Sequence, residues 1–291
     1  MGGDSRQEDE NPSTQHLGYQ KIFLQDIYLY PVKSCRGHKV QTAEVRACGL
    51  DKDRRAMLVD TNNRFISLRS HSQMARITPY FSDGNLGLDI DGDRVPVTVL
   101  DDRIDARLKE DVISVRLASK KVNAKLAAFF NEDIRLVYMD DTSQRAVDPD
   151  LGEGGVNLAD NSPISIINTA SLKALSDTVG YTIEIEQFRP NLVIHSDVPW
   201  AEDGWRTLKI GTAVFDLVRP ISRCKVITLK PKTGQLIGPE IMKSLVHIRK
   251  SGDARVKGVL FGWAAIPRNC AEIDVGSDVT LSKSGEPWPI A

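Results

Sequence analysis

The sequence predicts an α+β protein that is rich in β-strands, with barrel-like halves and a few surface helices. Two observations lead to this prediction. Short apolar runs separated by turn residues make up most of the first half and return in the second, whereas a 3.6-residue apolar spacing occurs in only three segments. With 291 residues, 41% of them hydrophobic, the chain can bury a core in one large or two moderate domains.

The first half is predicted to consist of strands joined by tight turns. The run "IFLQDIYLYPVKS" opens it as a strand. A hairpin is expected in "RRAMLVDTNNRFISLR", where Thr61-Asn62-Asn63 separates two apolar segments, and a second in "LGLDIDGDRVPVTVL", around Gly92-Asp93.

Three helices are expected. The first lies in "SKKVNAKLAAFFNED" after Ser119 as N-cap. Its apolar face is formed by Val122, Leu126, Phe129 and Phe130. The second, "TASLKALSDTVG", should end at Gly180 as its C-cap, and the third lies in "PEIMKSLVHIRK". Further strands are predicted in "FRPNLVIHS", "LKIGTAVFDLVRP", "KGVLFGWAAI" and "SDVTLSK".

Several function classes lack support in the sequence. The glycine-rich segment 148–163 is no P-loop, because no Gly-Lys-Ser/Thr follows Gly155, and it most simply links subdomains or forms a lid. There is no G-x-S-x-G or G-x-G-x-x-G motif, and the five histidines form no H-E-x-x-H pair. A net charge of -1 provides no global field for binding a nucleic acid polymer or an anionic membrane.

The four cysteines have neither C-x-x-C spacing nor the density of a secreted disulfide scaffold. They therefore favour free thiols in a reducing compartment. Residues 1–20 are polar and read as a disordered leader, and no stretch approaches the length of a membrane helix. We accordingly expect a soluble, cytoplasmic protein.

Cys224 lies in the basic step "PISRCK", between two apolar runs. Neighbouring cations favour a thiolate, which is both a nucleophile and a soft metal ligand. A core cysteine with its basic neighbours turned to solvent fits the sequence equally well. Cys35, in "PVKSCRG", leaves the same two alternatives open.

Polar residues gather at several predicted strand ends. They are Lys33, Ser34, Arg54, Arg69, Arg189 and Asn191. Arginine binds phosphate bidentately and asparagine both donates and accepts hydrogen bonds, so the set suits a phosphate attached to a heterocycle. Surface charge is the better interpretation of any one of them, unless they converge in space. Asp160, in "ADNSP", is either a turn residue or a carboxylate that handles a proton.

Seven segments, in order, together resemble the MOSC-domain proteins that carry an N-terminal MOSC barrel. They are "YPVKSCRG", "DRRAML", "ADNSP", "EQFRPNLVI", "WAEDGW", "IGTAVFDLV" and "SRC" with the following "TG". The branches most similar are the mitochondrial amidoxime-reducing component and bacterial relatives that detoxify N-hydroxylated bases. The resemblance implies a disordered leader at 1–20, an N-terminal barrel at 21–140, a linker or lid at 141–160, a MOSC-type β-barrel at 161–284 and a tail at 285–291.

The resemblance also implies a molybdenum cofactor, a pterin dithiolene with a terminal phosphate. Cys224 would supply the thiolate to molybdenum, and Asp160 would lie near the metal as a catalytic carboxylate. The pterin and phosphate would be held by Lys33, Ser34, Arg54, Asn161, Ser162, Arg189, Asn191, Ser222 and Arg223. A thiolate beside dithiolene sulfurs suits this metal, and the basic residues offset its negative ligands.

Two stretches depart from the family pattern. Lys230 and Lys232 stand in "KPKTG", where the family usually has acidic residues, so contacts with an electron donor are expected to differ. Around Arg69, "SLRSH" replaces the familiar Thr-Ala-Arg-Gln, which changes the substrate side. The sequence shows neither a membrane anchor nor a cysteine-rich ferredoxin domain, so we expect a separate donor: a ferredoxin, a flavoprotein or a cytochrome b5-like protein.

The function that the resemblance implies is reduction of small N-hydroxylated substrates, such as amidoximes, hydroxylamines or N-hydroxy bases, to amidines or amines. The alternative is a carrier of sulfur or of the molybdenum cofactor, with a persulfide on Cys224. No fused desulfurase is visible and no pyridoxal phosphate is expected. A β-barrel interaction module with a dead site is the third possibility.

Overall fold

The computed structural model describes residues 21–291, so the predicted leader at 1–20 lies outside the described residues. The strands are β1 Phe23–Leu29, β2 His38–Val40, β3 Thr42–Arg46, β4 Gly49–Leu50, β5 Ala56–Val59, β6 Ile77–Ser82, β7 Asn85–Ile90, β8 Asp93–Pro96, β9 Val99–Leu108, β10 Asp111–Ala118, β11 Arg135–Tyr138, β12 Ile164–Asn168, β13 Leu192–His195, β14 Trp205–Ile210, β15 Ala213–Ser222, β16 Leu260–Pro267, β17 Ala271–Asp274 and β18 Val279–Ser284. The α-helices are α1 Lys120–Phe130, α2 Thr169–Val179 and α3 Glu240–Ile248. The predicted strand-rich α+β class is confirmed.

The largest sheet is a curled half-barrel of eight strands, in the order β18-β14-β15-β16-β12-β13-β1-β2. Its strands are antiparallel except for β12 and β13, which pair in parallel across the crossover that contains α2. The β1 strand pairs with β13, so the beginning of the chain completes a sheet built mainly from the second half. Because β1 lies in this sheet, the loop that follows it lies beside loops of the second half of the chain.

The first half contributes smaller sheets. One has the order β5-β11-β10-β9, and another is the meander β6-β7-β8. Val122, Leu126 and Phe130 of α1 are buried in the core cluster of this half, while Phe129 is only half-buried. Strand β17 crosses back to pair with β3, which ties the two ends of the chain together.

One of the two predicted hairpins is confirmed in full, and the other is present but shorter than predicted. The β7–β8 hairpin turns at Asp91 and Gly92, whose φ angles of 53° and 89° are the positive values a type I′ turn needs. After β5 the chain turns and pairs antiparallel over one bridge, Val59 with Phe65. Asp60 N donates to Arg64 O at 2.9 Å and Ile66 N donates to Leu58 O at 3.0 Å on either side of it. The full-length partner of β5 is β11, and the pairing after the turn stays short because the following residues leave the sheet to line a cavity.

The predicted helix ends are largely confirmed. Ser119 occupies the N-cap position of α1, but its side chain makes no capping hydrogen bond. Helix α2 ends at Gly180, whose φ of 88° is the left-handed value typical of a C-cap glycine. The side chain of Asn168 caps the start of α2 by accepting a hydrogen bond from Ala170 N at 3.0 Å.

The glycine-rich segment 148–163 joins β11 to β12 along the protein surface. Leu151, Val156 and Ala159 are buried in a small apolar cluster of this segment. Arg145 donates to the carbonyl oxygens of Asn157, at 3.0 Å, and of Ala159. The segment therefore packs against the protein and leads directly into the turn that carries Asp160.

Candidate active site

One cavity of about 360 Å³ collects every site residue predicted from the sequence. Those residues are Lys33, Ser34, Arg54, Asp160, Asn161, Ser162, Arg189, Asn191, Ser222, Arg223 and Cys224. They reach the cavity from five places: the loop after β1, the turn before β5, the turn before β12, the loop before β13 and the end of β15. The convergence on which the sequence interpretation depended is therefore present, while the role of each residue stays a prediction.

Cys224 lies where β15 ends and a short 3-10 turn, Lys225–Thr228, begins. Its side chain is exposed to the cavity, so it is not a core cysteine. The two residues before it are anchored: Ser222 Oγ donates to Lys257 O at 2.7 Å, and Arg223 N donates to Val259 O at 2.8 Å. Cys35, by contrast, is fully buried, and burial raises the pKa of its thiol to about 12. Of these two cysteines, only Cys224 is presented to a ligand.

Arg54 is the centre of a buried polar network. Its guanidinium contacts the carboxylate of Asp53 and donates to Asn191 Oδ1 at 3.1 Å and to Arg189 O at 3.1 Å. Asp53 in turn accepts from Tyr30 N at 2.8 Å. The network ties the turn before β5 to the loop before β13, and so fixes the two halves of the cavity relative to each other.

Two half-buried arginines on the cavity wall each keep one buried, unused donor atom. Arg189 Nη2 and Arg223 Nη2 are shielded from solvent, and neither finds a hydrogen-bond partner within residues 21–291. The Arg189 group stacks on the Tyr30 ring at 4.3 Å, and Arg223 donates its other N–H groups to Phe261 O and Phe188 O. Burial lowers the pKa of Arg223 to about 10 and also lowers that of Arg189. Unpaired buried donors are costly, so an anion in the cavity that accepted from these two N–H groups would remove that cost.

Three cavity residues adopt a left-handed backbone conformation without being glycine. The φ angles are 67° at Ser34, 49° at Arg54 and 55° at Arg189. Such conformations cost about 1–3 kcal/mol each and are concentrated at functional sites, where the surrounding structure holds them in place. The three side chains are thus held toward the cavity at the expense of backbone strain.

Lys33 and Asp160 form an ion pair between the two halves. Lys33 Nζ lies 2.6 Å from Asp160 Oδ1; the lysine is 5% exposed, whereas the Asp160 side chain is 59% exposed because it faces the open cavity. Burial lowers the pKa of Lys33 to about 8 despite this partner. The Lys33 ammonium holds the pKa of Asp160 well below its usual range. Asp160 therefore stays ionised near neutral pH and is suited to positioning a proton carrier, whereas Lys33 is the member of the pair that bears a proton.

The sequence interpretation missed the residue that fixes the turn at Asp160. Lys109, in the β9–β10 turn, donates to Asp160 O at 2.9 Å and to Asn161 Oδ1 at 2.6 Å. Ser162 Oγ donates to Ile164 O at 3.1 Å. No local pattern marks Lys109 as a site residue, because its contact with this turn spans about 50 positions in the sequence.

The cavity wall is strongly basic in an almost neutral chain. Asp160 is the one acidic residue on the described lining, against eight basic residues: Lys33, Arg54, Arg69, Arg189, Arg219, Arg223, Arg255 and Lys257. Within the described chain, no group of three or more His, Cys, Asp or Glu is positioned to hold a metal ion. The donor set thus fits an anionic group that brings its own metal ligands, with Cys224 as the one soft protein ligand on this lining.

Two family descriptions match the sequence. The MOSC N-terminal beta barrel domain matches residues 21–135, and the MOSC domain matches residues 153–280. The chain belongs to the MOSC family. Both matched regions contribute to the cavity: Lys33 and Arg54 lie in the first, whereas Arg189 and Cys224 lie in the second.

The similar proteins include amidoxime-reducing components and molybdenum cofactor sulfurases. Mitochondrial amidoxime-reducing component 1 of Homo sapiens is 25% identical over 274 residues, which cover 88% of this chain and 81% of that protein. A molybdenum cofactor sulfurase of Drosophila grimshawi is 26% identical over 244 residues, which cover 80% of this chain and 31% of the sulfurase. The chain thus matches most of the first protein but only about a third of the second.

Among solved structures, the YUAD protein from Bacillus subtilis is similar with a TM-score of 0.42 and 9% identity, covering 89% of this chain and 96% of that one. Within residues 21–291, none of the helices combines the length and the apolar character that crossing a bilayer requires.

Proposed function

We propose that this protein is a molybdenum-cofactor-dependent reductase that converts N-hydroxylated compounds to amines or amidines. One observation carries the proposal: unpaired buried guanidinium donors and further basic side chains surround a cavity in which Cys224 is exposed. Such a wall suits a ligand that is both anionic and metal-bearing. The name of the amidoxime-reducing relative, which this chain matches over most of its length, supplies the reaction class.

The residues present fit a pterin dithiolene with a terminal phosphate. Arg189 and Arg223 each offer an unpaired N–H group, and Ser34 and Asn191 line the same wall. Gly262 leaves room for this arrangement, because a Cβ there would lie 2.6 Å from Ile166 O and 3.1 Å from Arg223 Nη2. Cys224 would be the protein ligand to molybdenum. When bound, the cofactor supplies a metal that accepts an oxygen atom and exchanges electrons.

The reaction consumes two electrons and two protons for each N–O bond broken, and it releases water with the amine or amidine. Lys33 Nζ, whose pKa is near 8, is protonated at neutral pH yet can release that proton into the cavity. Asp160 holds the ammonium in place at 2.6 Å. The electrons come from a separate redox protein, a ferredoxin, a flavoprotein or a cytochrome b5-like protein, in a reducing cytoplasmic compartment.

The test is reduction of benzamidoxime by cofactor-loaded protein, with reduced methyl viologen as the electron source and chromatographic detection of benzamidine. We expect product from the wild type and none above background from Cys224→Ser. Molybdenum-loaded wild type that forms no benzamidine, and no amine from a panel of hydroxylamines and N-hydroxy bases, would refute the reductase proposal.

A carrier of sulfur or cofactor is the second candidate, favoured by the exposure of Cys224 and by the sulfurase relatives. A carrier would release its cofactor to an acceptor apoprotein without turning over any substrate, or would show a persulfide of Cys224 by mass spectrometry. A reductase retains its cofactor through many turnovers, so a single incubation with an acceptor apoprotein separates the two.

A further inference from the structure

The outer part of the cavity holds basic residues that the inner network does not use. Arg69 and Lys257 are both exposed and both line the cavity, one from each matched region. Neither side chain makes a hydrogen bond or an ion pair with another residue of the described chain. Arg255, by contrast, is already engaged, since its guanidinium lies 2.5 Å from Asp253 and over the Trp288 ring.

Arg69 is held in a fixed turn although its guanidinium is unpaired. The turn is closed by Ser70 Oγ, which donates to Ser67 O at 3.0 Å, and by His71 N, which donates to the same oxygen at 2.8 Å. Arg69 N itself donates to Ser67 Oγ at 3.3 Å. Arg69 and Asp160 line the same cavity, and the positive charge of Arg69 helps to lower the pKa of Asp160 without contacting it.

An aromatic ring accompanies the unpaired charge on the same segment. Phe65 lines the cavity half-buried, with Lys33 Nζ 5.0 Å from its ring centroid. Its backbone is anchored, because Phe65 N donates to Arg107 O at 2.9 Å. A flat ring and an arginine four residues apart suit a ligand with a planar heterocycle and an anionic substituent.

The buried and the exposed cations differ in what can reach them. Arg189 and Arg223 are shielded, so they suit a group that stays bound, whereas Arg69 and Lys257 are open to a molecule that arrives from solvent and leaves again. We propose that the site selects N-hydroxylated substrates that carry a phosphate or carboxylate, with Arg69 as the main specificity-determining residue and Phe65 under the heterocycle. The inference rests on the proposed function and adds the substrate class.

Two substrates that differ only in a phosphate group test the effect of the substrate's negative charge. N4-hydroxycytidine and its 5′-monophosphate share one N–OH group and differ only in the phosphate. With cofactor-loaded wild type and reduced methyl viologen, we expect kcat/KM to be about tenfold higher for the monophosphate, as a charge-assisted hydrogen bond to an exposed arginine provides. The preference should decline as salt is added. In Arg69→Gln the ratio should fall to near one, while Arg64→Gln, an exposed arginine outside the cavity lining, keeps the wild-type ratio.

A wild-type ratio near one would overturn the inference, and so would an unchanged ratio in Arg69→Gln. A loss in Arg69→Gln that is equal for both substrates and occurs only with a protein electron donor would assign this charge to an acidic donor, and would overturn it as well.

A binding measurement separates this inference from the reductase proposal. By calorimetry, cofactor-loaded wild type should bind cytidine 5′-monophosphate at least tenfold more tightly than cytidine, and Arg69→Gln should remove the difference. If neither substrate turns over but this selectivity and its dependence on Arg69 are found, the reductase proposal fails while the assignment of Arg69 stands. Equal binding of the two products by the wild type would overturn the assignment.

Discussion

Replacing Lys33 by methionine should stabilise the protein at neutral pH and weaken its hold on an anionic ligand. The Lys33 ammonium is 5% exposed, and burial lowers its pKa from 10.5 to about 8 even with Asp160 at 2.6 Å. A pKa lowered by this much means that the protonated Lys33 side chain reduces the free energy of unfolding by about 3 kcal/mol. A side chain of similar length without the charge avoids that cost, so we expect Lys33→Met to raise the free energy of unfolding at pH 7 by about 1–3 kcal/mol.

The stability cost of Lys33 should depend on pH, because its pKa differs between the folded and the unfolded chain. Below about pH 8 the lysine is protonated in both the folded and the unfolded chain, so its full cost is present and does not vary. Between about pH 8 and 10.5 the unfolded chain binds more protons than the folded one, and the free energy of unfolding of the wild type should rise with pH. The advantage of Lys33→Met should therefore shrink across this window.

Urea unfolding followed by tryptophan fluorescence at pH 7, 8.5 and 10 measures the effect. Only the difference between variant and wild type is interpreted, because the raised pKa of Cys35 gives both proteins an opposite slope above pH 9. Lys39→Met is the matched control, since Lys39 pairs with Asp26 at 2.8 Å while its own side chain is 53% exposed. Parallel stability curves for wild type and Lys33→Met from pH 7 to 10 would refute the reasoning.

Two further substitutions, one of them with a matched control, test how the halves are held together. Gly234→Ala should destabilise the protein by more than about 2 kcal/mol in urea unfolding, since φ is 71° and a Cβ there would lie 1.9 Å from Ser72 O. Gly211→Ala, at φ 57° with open space around it, should cost only about 1–2 kcal/mol, and equal costs would contradict the close contact. Arg54→Lys should cost about 2–4 kcal/mol, because lysine cannot bridge Asp53 and the opposite loop together; a loss below 0.5 kcal/mol would show that the network adds nothing.

The sequence predicted those parts of the fold that depend on local patterns. The apolar spacing of α1, the glycine that ends α2 and the turn at Asp91 and Gly92 are all set by neighbours within a few residues. The turn expected after β5 is present but pairs over one bridge only, and the main partner of β5 is β11, a long-range pairing that local patterns do not reveal. The same holds for β1, which pairs with a strand about 170 residues away.

The candidate site shows the same division. Residue types marked Arg54 and Arg189 as suited to an anionic ligand and left Cys224 open between a reactive thiolate and a core cysteine. Only the fold shows that the three residues line one cavity. Features that depend on three-dimensional neighbours were not visible in the sequence, namely the unpaired Nη2 of Arg189 and the lowered pKa of Lys33. Both arise from burial by segments distant in the chain.

Metal and pterin analysis of protein made in a cofactor-competent host tests the central claim most directly. Wild type, Cys224→Ser and Cys270→Ser are compared, since both cysteines are exposed but only Cys224 lines the cavity. We predict near-stoichiometric molybdenum and pterin in the wild type and in Cys270→Ser, with molybdenum lost from Cys224→Ser. Wild type that contains neither molybdenum nor pterin, under conditions that load a related enzyme, would contradict the claim.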